Sequence, residues 1–258
     1  MNESVRGVKR PNRIASLYPL TKFYMAIAFL IVAIVMPGLI AKLVCFVLVN
    51  LVAVVSGVWP TFIRRLLASV GALFIILLLI QVFFGAGEKI IFTFWIFSAK
   101  WEGLMFALNL GFVLLCVGGC LIWFFAVTRE KDFVLSLEKV GMNPKAAYVI
   151  LSTLQMVPVL KKRSETIMNA QRARGTETEG NLFVRARVFV PTIVPLVLSS
   201  ISGIEERALT LEARGFSVEG TRTHLDDLEW SSTDRVAVVV VTVVFVAAIA
   251  GGITLWVI

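Results

Sequence analysis

Residues 23–58 read FYMAIAFLIVAIVMPGLIAKLVCFVLVNLVAVVSGV, 36 positions with almost no polar side chain. One helical crossing of a bilayer takes roughly 17–25 residues, so the run is too long for a single pass. Pro37-Gly38 interrupts it near the middle, a pair that ends one helix and admits another. The stretch therefore predicts two short, closely paired transmembrane helices. Further along, Leu66 to Phe84 predicts a third crossing, Leu104 to Val127 a fourth and Val236 to Ile258 a fifth. With 58% hydrophobic residues and a mean hydropathy of +0.88, the chain is no soluble domain. The first crossing is not expected to be a removable signal peptide. No clear small-residue cleavage site follows a short apolar region, and four more spans come after it.

Orientation follows from the distribution of Lys and Arg. Residues 1–22 carry Arg6, Lys9, Arg10, Arg13 and Lys22 against Glu3 alone, and Arg64 and Arg65 occupy the next turn on that side. The opposite side holds Lys42, Lys89 and Lys100, the last two offset by Glu88 and Glu102. A cytosolic N-terminus and, after five passes, an external C-terminus are expected. Residues 128–235 then lie inside, and they contain 15 Lys/Arg and 14 Asp/Glu. That balance argues against nucleic acid, whose binding needs a concentrated cationic excess. The net charge of +8 comes mainly from the N-terminal segment and the Arg64-Arg65 turn, where topology and anionic lipid explain it. The expected fold is an all-α integral membrane protein with about five transmembrane helices and a cytosolic region of two long, kinked helices. Its divisions are residues 1–127 (N-terminal segment and four spans), 128–235 (cytosolic or interfacial region) and 236–258 (last span).

Within residues 128–235, Asn143-Pro144 starts a long helix, with Asn as cap and Pro at the first helical position. Gly175 stops it after Arg174. Asn181 begins a second stretch that ends at Arg214-Gly215. Each is roughly 45–50 Å long if continuous. Pro158 in the first and Pro191 and Pro195 in the second predict kinks. Residues 128–140 predict a shorter lead-in helix. Ala146–Leu160 and Val188–Ile201 are apolar halves of the two stretches, yet at about 15 residues they fall short of a crossing. Crossing there would also carry Lys161, Lys162, Arg163, Arg172, Arg174, Arg185 and Arg187 outside, against the charge rule. The apolar halves are therefore expected at the cytosolic membrane surface or against partner helices, with the charged halves reaching into the cytosol.

Several chemistries find no residues here. Gly-x-x-x-x-Gly-Lys-Ser/Thr does not occur, so the chain lacks the phosphate cradle of a P-loop ATPase. His224 is the only histidine, which excludes a multi-histidine metal site and reads as a solvated loop residue. Cys45, Cys116 and Cys120 lie in apolar spans without His or carboxylate neighbours and predict small buried hydrophobes. No catalytic residue, cofactor or metal site is expected. Ion-coupled transporters need ionisable groups inside the bilayer, and only Lys42, near a helix end where it can snorkel, comes close. Gln81 and Asn109 are expected to hydrogen-bond between helices. A scaffold serving other subunits fits this pattern better than a transporter with its own solute site.

The two long stretches end alike. Ala173-Arg174-Gly175 and Ala213-Arg214-Gly215 are forty residues apart, and Glu165/Glu205, Glu179/Glu219 and Gly180/Gly220 recur at the same offset. A fixed period marks one unit used twice. A single such tripeptide is ordinary helix termination, with Arg at the negative end of the dipole and Gly in the left-handed cap position. Two copies with shared flanks point to a repeated task. Arginine presents a planar fork of five donors, a plug for a groove on a soluble partner.

On these residues the chain resembles the transmembrane T component of energy-coupling factor (ECF) transporters, the vitamin and metal-ion importers driven by ABC-type ATPases. That family pairs several membrane helices with a cytosolic coupling region whose two long helices end in Ala-Arg-Gly or a close variant. Its members also tend to carry Asp-Pro-x-x-Lys just before the first membrane helix. Tyr18-Pro19-Leu20-Thr21-Lys22 keeps Pro and Lys and has Tyr in place of Asp. The resemblance implies that Ala173, Arg174, Gly175, Ala213, Arg214 and Gly215 dock two homologous ABC-type ATPase subunits, where ATP would be hydrolysed. It also implies a substrate-binding membrane S component, held by apolar faces around Leu154, Val157, Leu198 and Ile201. ATP-driven motion would scissor the two helices and reorient the S component in a prokaryotic cell membrane. Two other readings compete. A conventional ABC-importer permease would form its own solute pathway and show a single Glu-Ala-Ala…Gly loop. A membrane enzyme or non-transport scaffold using its helices as a surface platform would, if an enzyme, carry a cytosolic catalytic cluster. The duplicated arginine tips favour the first reading.

Overall fold

The computed structural model describes residues 16–84, 90–94, 97–175, 181–218 and 230–257. Contacts divide the chain into two bodies, Met1–Gly141 with Leu228–Ile258, and Met142–Asp227.

In the first body the break at Pro37-Gly38 falls where the sequence places it. Helix α1 (Pro19–Val35) ends as Met36 turns extended, Gly38 takes a φ of 90°, and α2 (Leu39–Val55) starts at once. Each has 17 residues, the lower end of what crosses a bilayer. After a turn at Gly57, α3 (Trp59–Leu66), a π-helical turn at Leu67–Gly71 and α4 (Ala72–Phe84) follow. Together these make one apolar rod of 26 residues. Helices α5 (Trp101–Val127), α6 (Glu130–Lys139) and α9 (Ser232–Val257) complete the body. Three stretches, Trp59–Phe84, Trp101–Val127 and Ser232–Gly252, are long and apolar enough to cross a membrane. With the shorter α1 and α2, they make this an all-α multi-pass membrane protein. One small feature was not expected from the sequence. Between α4 and α5, strand β1 (Ile90–Phe94) pairs antiparallel with β2 (Phe97–Lys100), with a bulge between Ile90 and Phe92. Its β-branched and aromatic composition suits a strand.

Helix α5 is the hub. Of its most apolar stretch 44% is buried, against 11% for Trp59–Phe84 and 6% for Ser232–Gly252, and α1, α2, α3 and α4 all pack on it. Glycine permits the closest of these approaches. A Cβ at Gly103 would overlap the carbonyl of Gln81, and one at Gly111 the ring of Phe74. At Gly118 it would meet Val70 at 2.6 Å. These three glycines lie along one face of α5, so α4 and the π-helical turn before it seat close to its backbone, as small residues allow between membrane helices. Around them Val49, Phe62, Leu66, Leu115, Trp123 and Phe124 form the core. Several polar groups inside are paired, as hydrocarbon surroundings favour, while the hydroxyls of Thr21 and Thr128 are buried without a partner. The Trp123 indole N–H donates to Ser56 Oγ at 3.0 Å, and the Ser56 hydroxyl donates to the Val52 carbonyl at 2.6 Å. Lys42 Nζ donates to Asn109 Oδ1 at 3.3 Å, so Asn109 does bond between helices and holds the amine on α5. Cys45, Cys116 and Cys120 are buried free thiols.

Helix α6 packs on α1, and Phe133 joins Phe23 and Phe124 in a ring cluster. It thus belongs to the first body. Helix α9 also rests on α1. Its Asp234, only 1% exposed, accepts the backbone N–H of Ser231 through Oδ2 at 2.9 Å and that of Tyr18 through Oδ1 at 2.7 Å. The first bond is half of a capping box on α9 itself. The second does the same service for α1, whose own position for that role, Thr21, offers only a hydroxyl. The Tyr18 ring stacks on Trp230 with centroids 5.5 Å apart. Burial pushes the Tyr18 phenol above its ordinary value, with Lys139 pulling the other way and Asp234 adding to the rise. So the turn before α1, where Tyr18 replaces Asp, receives a carboxylate from the far end of the chain.

The second body is a pair of long helices, α7 (Pro144–Ala173) and α8 (Leu182–Ala213), each continuous through its prolines.

Candidate functional site

Helix α7 begins as expected, with the Asn143 side chain accepting the Lys145 N–H at 2.9 Å and Pro144 in the first turn. At its other end Arg174 is the last capping residue, and Gly175 takes a φ of 82° while donating to the Arg172 carbonyl at 2.9 Å. Helix α8 closes in the same way. Gly215, at φ 72°, donates to the Glu212 carbonyl at 2.9 Å, and Phe216 N–H reaches back to Leu211 at 3.0 Å. These two bonds make a Schellman closure, which needs a left-handed residue at its centre. Both glycines are therefore dictated by helix termination. The arginines are not: Arg174 and Arg214 are exposed, and any good helix former would close the same turn. Glu165 and Glu205, one repeat unit apart, are exposed as well. Glu179, Gly180, Glu219, Gly220 and His224 lie outside the described residues.

Three contacts set the relation of the two helices. Tyr148 packs its ring on Phe216 at 4.8 Å. Arg163 Nη1 donates to both the carbonyl and the hydroxyl of Ser199, each at 3.0 Å. Gln171 Nε2 donates to the carbonyl of Pro191 at 3.2 Å. As numbers rise on α7 they fall on α8, so the helices run antiparallel. Two consequences follow. The arginine tips stand at opposite ends of the pair, separated by roughly 40 Å, the length of about 25 helical residues. And the apolar half of each helix lies beside the charged half of the other, because a short connection folds the C-terminal half of α7 onto the N-terminal half of α8.

The apolar candidates are all open. Leu154 is 38% exposed, Val157 63%, Leu198 60% and Ile201 50%. In the register of the three contacts, Val157 and Ile201 are within about 6 Å along the shared axis, close to the Arg163–Ser199 crossing. Val149, Ile150, Val194, Val197 and Ile204 extend this exposed apolar surface. Neither the cross-links through Tyr148, Arg163 and Gln171 nor the Asp234 cap was expected from the sequence. One signal did exist. Pro195 has no N–H for the carbonyl four residues earlier, so an open acceptor at Pro191 follows from the sequence alone.

A family model described as CbiQ, cobalt transport protein, matches residues 12–225, which include both tips. The chain is also similar to proteins named energy-coupling factor transporter transmembrane protein EcfT. That of Clostridium kluyveri is 30% identical over 205 residues, 76% of this chain and 75% of the relative. That of Lactococcus lactis subsp. cremoris is 24% identical over 241 residues, 90% of each. That of Thermotoga maritima is 30% identical over 184 residues, 67% of this chain and 65% of the relative.

Proposed function

The chain belongs to the CbiQ family of cobalt transport and energy-coupling factor transmembrane proteins, and from that premise we propose that it is the scaffold subunit of an ECF-type ABC importer. In this reading it passes the ATP-driven motion of two ATPase subunits to a substrate-binding S component, for uptake of a vitamin or metal ion. The observation that carries it is the pair of exposed arginines on matching helix ends, about 40 Å apart along the pair. Two grooves on two similar subunits suit that spacing; one groove does not. ATP is hydrolysed in the partners and not in this chain. The N-terminus is cytosolic, residues 128–235 are cytosolic or interfacial, the C-terminus is external, and the protein sits in the prokaryotic cell membrane. The exposed side chains of Leu154, Val157, Leu198 and Ile201 hold the S component, which carries the choice of substrate.

Purification of the tagged chain from its native membrane tests this. The expected complex contains two ATPase subunits and a small hydrophobic membrane protein. Recovery of an ATPase dimer alone would favour a conventional permease, and recovery of neither would remove the coupling role.

A further inference from the structure

Proline at position 195 leaves the carbonyl of Pro191 without its helical donor, and the side-chain amide of Gln171 on the other helix donates to it at 3.2 Å. Gln171 belongs to the last turn of α7, where its own carbonyl accepts the backbone N–H of Arg174 at 3.1 Å. One residue thus touches both the arginine tip of α7 and the proline-interrupted segment of α8. The second tip has an equivalent link. Phe216, two positions past Arg214, packs on Tyr148 near the start of α7. Each tip is braced on the opposite helix.

We propose that Gln171 is a positioning residue for Arg174, holding the end of α7 on α8 through the acceptor that Pro195 opens, with Phe216 on Tyr148 doing the same for Arg214. A load applied at one tip then passes across to the other helix instead of fraying the last turn that carries the arginine. The functional half of this proposal rests on the ATPase-docking reading; the brace itself does not.

The test exploits the proline. Pro195→Ala restores an N–H to the Pro191 carbonyl and makes the Gln171 amide redundant. Hydrogen–deuterium exchange of the last turn of α7 is measured in the full complex for four proteins: unaltered, Gln171→Leu, Pro195→Ala and the double variant. Gln171→Leu should speed exchange about 3- to 10-fold in the Pro195 protein, the size of one lost hydrogen bond, and less than about 2-fold in the Pro195→Ala background. In the same preparations Gln171→Leu should retain both ATPases yet transport several-fold less substrate per ATP hydrolysed. No change on Gln171→Leu, or equal acceleration in both backgrounds, would overturn the brace. If exchange behaves as stated but transport per ATP is unchanged, the brace stands and its role in positioning Arg174 is overturned. Loss of the docking reading would show separately, as absence of ATPases from the unaltered complex.

Discussion

Helices α5 and α7 are of similar length, 27 and 30 residues, yet one is finished and the other is not. Helix α5 buries ten residues against its own chain; α7 buries only Ala147. Exposed apolar side chains on α4 and α9 have lipid to meet. Those on α7 share a helix with Lys145, Lys161 and Lys162, which neither a bilayer core nor water suits along its whole length. The contrast separates a body packed on its own hub from a pair of helices whose apolar side chains stay uncovered by their own chain. Substitutions in α5 and its neighbours should therefore damage the fold, and substitutions on α7 and α8 should damage assembly.

The largest effect on folding is expected from Gly111→Leu. Its side chain would occupy the space of the Phe74 ring and force α4 off α5, and overpacking of this kind costs about 1–3 kcal/mol or more. Thermal unfolding in detergent should show a much lowered or absent transition. A normal transition would mean that α5 is not the hub. Asp234→Ala should rank next, at about 1–3 kcal/mol, because it strands two backbone donors. Asp234→Asn should recover part of the loss, since its amide oxygen can still accept one of them. Protease sensitivity of α9 reports the same change. At the small end, Leu154→Asp or Leu198→Asp should shift stability by no more than about 0.5 kcal/mol, as exposed substitutions do. Capture of the S component should nevertheless fall while capture of the ATPases holds. Equal loss of both partners would turn the comparison around, placing the defect in folding.

Local signals account for what the sequence revealed. Pro37-Gly38, Asn143-Pro144, Gly175 and Gly215 each act within a few residues, through a fixed φ, a cap or a left-handed turn, and each helix end falls at or beside them. Long-range partners left no such mark. Nothing near Tyr18 announces that Asp234, 216 positions away, caps its helix. The β1–β2 pair left little mark because its strands are short and Ile90–Phe94 is apolar at four of five positions, without the strict alternation that signals a strand. The candidate site divides along the same line. The repeat exposed the two tips, but the antiparallel pairing that sets them at opposite ends depends on Tyr148–Phe216, Arg163–Ser199 and Gln171–Pro191. Only the last of these has a cue in the sequence, the spacing of Pro191 and Pro195.

The central claim is that Arg174 and Arg214 anchor two ATPase subunits, and the most direct measurement is ATPase capture by the Arg174→Ala, Arg214→Ala double variant. Removing one partner of a buried charged contact costs about 2–5 kcal/mol, so each single change should weaken capture and uncouple hydrolysis from transport. The double change should release both subunits. Lysine at the same positions should not fully restore binding, because an ammonium lacks the planar fork. Lys162→Ala, at another exposed cation on α7, should leave capture unchanged. A double variant that still holds both ATPases and transports normally would contradict the claim and reduce the two tips to helix caps.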